Sequence, residues 1–70
     1  MKITTEDQFY GFVAVDDDRY DGPGSPIGSG NTEREAINDL LDILEDDASY
    51  AEFVEEIQAK RAAINQKPSP

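Results

Sequence analysis

Seventy residues carry 16 Asp and Glu against 6 Lys and Arg, a formal charge of −10, with no histidine and no cysteine. A chain this short forms one domain at most and buries only about 60% of the surface its unfolded form exposes. Without imidazole or thiolate there is no neutral-pH base, sulfur nucleophile, or nitrogen or sulfur metal ligand, so composition points away from an enzyme and from bound cofactors or metals. The scarcity of Lys and Arg points away from direct nucleic-acid or anionic-membrane binding.

The longest apolar stretch near the start is Phe12-Val13-Ala14-Val15, far below the roughly 20 residues of a membrane helix. Met1-Lys2 leads into Thr4-Thr5-Glu6-Asp7 rather than into an apolar signal core. A cytoplasmic protein is expected, in the host cytoplasm if it is phage-encoded.

In chain order, the aromatic and β-branched content of residues 2 to 15 predicts a short hairpin turning near Glu6-Asp7. Phe9, Gly11, Val13 and Val15 would share one face and Tyr10, Phe12 and Ala14 the other. Asp16 to Pro26, with four Asp, two Gly and two Pro, reads as a loop. Ile27-Gly28-Ser29-Gly30 reads as a brief third strand, anchored by Ile27.

Thr32-Glu33-Arg34-Glu35 is a capping box that starts a helix. Ala36, Ile37, Leu40, Leu41 and Leu44 form its apolar face, and the crowded Glu45-Asp46-Asp47 ends it near Asp46 or Asp47. Ser49 and Glu52 form a second capping box, opening a helix from Tyr50 to about Asn65 with Tyr50, Phe53, Val54, Ile57 and Ile64 on one face. The expected fold is α+β, with about three antiparallel strands packed against two helices in the order β-β-β-α-α. Residues 1–66 would be the single domain and residues 67–70 a frayed tail.

The run Phe9-Tyr10-Gly11-Phe12-Val13-Ala14-Val15, the Gly and Pro loop, Ile27-Gly28-Ser29-Gly30-Asn31-Thr32 and Glu35-Ala36-Ile37-Asn38-Asp39-Leu40-Leu41 together resemble the HicB-like family, over residues 2 to 46. The resemblance implies a partial ribonuclease H fold without nuclease activity, of the small orphan type found in bacteriophages. HicB antitoxins usually follow the first helix with a strand and a DNA-binding domain. Here Ser49 to Asn65 is helical in pattern, so the resemblance implies no direct operator binding.

Three features bear on chemistry. Asp16, Asp17, Asp18 and Asp21 bring carboxylates together, but their spacing fails the EF-hand pattern and reads as a solvated acidic turn. The glycines of 22–30 match neither phosphate-binding motif and serve as turn residues. The third is a stripe of Glu35, Asp39, Asp42 and Asp46 opposite the leucine face of the first helix, about 16 Å long at 1.5 Å per residue. Its carboxylate spacing is comparable with that of successive phosphates. These eight carboxylates are the expected contact surface for a basic protein of a nucleic-acid-binding complex. The expected function is a phage-type DNA-mimic inhibitor, such as an anti-CRISPR or anti-restriction protein. The competing expectation is a HicB-like antitoxin or oligomerisation module that binds its partner by apolar contacts. A homodimer through Tyr50, Phe53, Val54, Ile57 and Ile64 is also expected, because that stripe is longer than one small sheet needs.

Overall fold

The computed structural model describes residues 1–22 and 24–65. Strands β1 (Ile3–Gln8), β2 (Gly11–Asp16) and β3 (Gly28–Gly30) form an antiparallel sheet in the order β1-β2-β3. Helix α1 (Glu33–Glu45), a 3-10 turn (Ala48–Phe53) and helix α2 (Val54–Asn65) follow. This is the α+β arrangement β-β-β-α-α. The expected tail at 67–70 and the domain limit at 66 lie outside the described residues.

The hairpin turns at Phe9-Tyr10 and not at Glu6-Asp7, because Gln8 faces Gly11 and Ile3 faces Asp16. A turn at Glu6-Asp7 would have left Val13 to Val15 without partners on β1, whereas the observed register pairs every residue of β2. The Asp17 amide prolongs the ladder by donating to the Lys2 carbonyl at 2.7 Å. Positive φ falls on Gly11 (153°), so neither aromatic turn residue has to adopt it.

Alternation then assigns the faces. Ala14 and Asp16 are buried and Phe12 packs against the core, so this is the face under the helices. Val13 and Val15 look out on the uncovered face, beside Thr4, Glu6, Gln8, Tyr20 and Ile27. Among the described residues the sheet is therefore covered on one side only.

Strand β3 is not anchored by Ile27, which is 45% exposed. It is held by the near contact of its own backbone with α1: a Cβ on Gly28 would overlap the Leu40 amide and the Ala36 carbonyl, and one on Gly30 would overlap the Glu35 side chain. Two glycines two residues apart let strand and helix meet at backbone distance.

Helix α1 starts as its cap predicts, with Thr32 extended and its hydroxyl accepting from the Glu35 amide at 3.1 Å. Ala36, Leu40, Leu41 and Leu44 are completely buried and Ile37 packs beside them, so the predicted apolar face is the one that meets the sheet. Asp46 ends the helix. The next cap differs from expectation: Asp47, not Ser49, takes that position and accepts from the Ser49 amide (3.0 Å) and hydroxyl (2.8 Å). These bonds hold the Asp47 carboxyl below the usual carboxylate range. The first turn after it is 3-10, and α2 begins only at Val54.

Helices α1 and α2 run antiparallel, shown by Arg61 beside Asp42 and Glu45 and by Asn65 beside Asn38. The two asparagines exchange a pair of amide hydrogen bonds at 3.0 and 3.1 Å. The stripe expected to join two copies is turned inwards. Tyr50 and Ile57 are core residues, Phe53 and Ile64 pack against that core, and Val54 is half-buried. A thin core in a chain of this size spends its large side chains internally.

Two substitutions test this packing. Gly28→Ala should lower the urea midpoint by the equivalent of about 1–3 kcal/mol, since the helix backbone must yield to the added methyl. Asp47→Ala should lower the midpoint at pH 7. Because the folded carboxyl ionises below its unfolded value of 3.8, that deficit should be full above pH 3.8 and vanish as the pH falls through the folded value.

Candidate functional site

The eight carboxylates singled out from the sequence do not form one surface. Asp16 is buried, at 3% exposure. Its Oδ2 accepts from the Tyr50 hydroxyl at 2.8 Å, and its Oδ1 accepts from the amides of Lys2 (3.3 Å) and Asp18 (3.2 Å). Both oxygens are thus satisfied from within the fold. Burial first, and the bond to Asp16 second, push the Tyr50 phenol up to about 12. The Arg19 guanidinium lies over the rings of Tyr50 and Phe53 at 5.1 and 5.0 Å from their centroids, where it covers the pair.

Asp18 faces the Met1 ammonium at 3.6 Å, which Glu56 also binds at 3.0 Å. The bond to Glu56 is the main cause that holds this ammonium above its ordinary pKa. Asp21 accepts from the Ser25 hydroxyl at 2.8 Å and stays in the loop, while Asp17 is exposed. Among the described residues no three Asp, Glu, His or Cys side chains are arranged to hold a metal ion.

The helical stripe is also divided. Asp39 accepts from the Ser29 amide at 2.9 Å and so serves β3. Asp42 pairs with Arg61, whose other nitrogen reaches Glu45 at 3.2 Å. Glu35 and Asp46, at the two ends, remain exposed. The expected row of four carboxylates with no cation between them is corrected at its centre: Arg61 comes from α2, and only the antiparallel packing of two helices places it there.

Sequence reasoning missed the feature that stands out most on the surface. Phe9 is fully exposed and Tyr10 is 84% exposed, side by side at the tip of the β1–β2 hairpin. The tip lies next to the exposed Glu6 and Asp7. Tyr10 borders a shallow depression with Phe12, Gly30 and Asn31. The signal was present in the sequence, since Phe9-Tyr10 sits immediately before Gly11, but those aromatics read as strand interior.

With this geometry described, comparison with known proteins adds no relative: no family model, no curated protein and no solved structure matches the chain. No helix among the described residues is long and apolar enough to cross a membrane.

The Asp16–Tyr50 bond has a pH signature. A free phenol ionises near 10 and the folded one near 12, so the unfolded chain gives up its proton first. The contribution of Tyr50 is intact below pH 10 and is lost as the pH climbs to 12. Urea midpoints measured from pH 9 to 12 should fall more steeply for the natural chain than for Tyr50→Phe, and a tyrosinate absorbance step near pH 12 should be absent from that variant.

Proposed function

We propose that this chain is a small, non-catalytic acidic protein that binds a basic, nucleic-acid-binding protein and inhibits or sequesters it, in the manner of a phage-type anti-CRISPR or anti-restriction inhibitor. The supporting observation is the exposed Phe9-Tyr10 tip beside Glu6 and Asp7. A two-residue hairpin turn favours Gly, Asn and Asp, so two aromatics there serve neither the turn nor the core. Large aromatics with few rotatable bonds are the common anchors of protein interfaces. Net charge −10 steers such an anchor towards a basic surface. Asp17, Asp18, Asp21, Glu35, Asp42 and Asp46, the exposed members of the predicted set, would then add phosphate-like charge elsewhere on the surface, Asp17 at the opposite end of the hairpin from the tip, while Asp16 and Asp39 act within the fold.

The second reading, a HicB-like antitoxin or partner-binding module using apolar contact, draws on the uncovered sheet face with Val13, Val15, Tyr20 and Ile27. Salt separates the two readings, since complexes led by exposed charge weaken steeply as ionic strength rises.

The test is capture of partners from a host extract with the full chain as bait, followed by affinity measurement with the captured protein. The inhibitor reading expects at least a tenfold loss of affinity between about 0.05 and 0.5 M salt. It also expects comparable losses in Phe9→Ser/Tyr10→Ser and in Glu35→Lys/Asp46→Lys. Salt-independent binding that survives both double variants overturns it.

A further inference from the structure

The two edges of the sheet are not equivalent. The Asp17 amide bonds to the Lys2 carbonyl, so with antiparallel alternation Lys2, Thr4, Glu6 and Gln8 direct their backbone groups towards β2, and Ile3, Thr5 and Asp7 direct theirs outwards. On the opposite edge, Ser29 faces Val13 and turns its amide away from β2, where the Asp39 carboxylate takes it at 2.9 Å. The β3 edge is thereby capped by a side chain. Among the described residues no corresponding bond covers β1, and the backbone of α2 stays clear of that strand. An open strand edge is a template for another strand.

We propose that the β1 edge pairs antiparallel with β1 of a second copy, in the register that sets Thr4 against Thr4, to give a closed two-fold dimer with one six-stranded sheet. Charge complementarity selects both the occupant and the register. In this register Lys2 of each copy stands opposite Glu6 of the other, as non-hydrogen-bonded pairs whose side chains approach most closely. Ile3 and Thr5 form the hydrogen-bonded pairs, and their exchange supplies about four new main-chain bonds. Sliding the strands by two residues puts Glu6 opposite Thr4 and loses the ion pairs. Sliding by four puts Glu6 opposite Glu6, which is repulsive. Because β3 is capped, the described residues of each copy offer one free edge and the assembly stops at two.

The experiment is sedimentation equilibrium on the full chain at about 0.15 M salt, up to about 500 µM, since the assembly follows mass action. The expected mass is twice the 7.7 kDa of the chain. Lys2→Glu should shift the species to 7.7 kDa, as should Glu6→Lys. The double variant Lys2→Glu/Glu6→Lys should restore the dimer, because the swap keeps opposite charges facing across this register. Thr5→Pro, which removes an outward amide and leaves the β1–β2 ladder whole, should also give the single-chain mass. Circular dichroism checks the fold, and the charge swap on two exposed residues stands if the proline variant fails to fold. The proposal is overturned by a 7.7 kDa species throughout, by a dimer indifferent to Lys2→Glu, or by failure of the double variant to restore it. None of these outcomes bears on the Phe9-Tyr10 tip, so the function proposed above is tested separately.

Discussion

The buried hydrogen bond from Tyr50 to Asp16 joins parts of the chain that lie 34 residues apart. Asp16 ends β2, and through its other oxygen it fixes the segment entering β1 at Lys2 and the loop at Asp18. Tyr50 lies in the 3-10 turn between the helices. A buried carboxylate without partners would cost several kcal/mol, and here each oxygen has a donor. The sheet, the loop and the helical hairpin are thereby pinned at one buried point, with Arg19 laid over the aromatic side of it.

The same point explains why the acidic surface differs from a simple count of carboxylates. With 16 acids in 70 residues, an acidic protein with a small core uses some of its charge as structural material. Asp16 satisfies amides and a phenol, Asp39 occupies a strand edge, Asp47 caps a turn and Asp42 holds Arg61. Each is a carboxylate performing work that serine, asparagine or a backbone carbonyl performs elsewhere, at a fixed negative charge that adds to the overall field.

What was legible in the sequence was what short-range chemistry decides. The Thr32 cap, the leucine face of α1 and its end at Asp46 depend on residues within one or two helical turns, and they are found as read. The misread features depend on partners far along the chain. The hairpin turn was set by how much of β2 could pair, not by the polar pair Glu6-Asp7. Ile27 yielded its anchoring role to glycines because the closeness of α1 to β3 is a tertiary fact. Tyr50 and Ile57 were counted as spare apolar surface because neither the position of Asp16 nor the thinness of the core appears in a helical wheel. The candidate site was legible in its charge and not in its aromatic tip, since exposure is a property of the register.

The glycine contact between β3 and α1 also governs how the interior is proportioned. Gly28, Gly30, Ala14 and Ala36 bring the two layers together at backbone distance on one flank, while Leu41, Leu44, Tyr50 and Ile57 fill the other. The interior is therefore a wedge with its thin end under β3. Added bulk at the thin end has to lift the helix off the strand, whereas bulk at the thick end can be absorbed by small shifts of α2. Room to enlarge the core lies in that direction, on the side of α2, while the Gly-Ser-Gly strand and the α1 residues that meet it, Ala36 and Leu40, are held to their close contact.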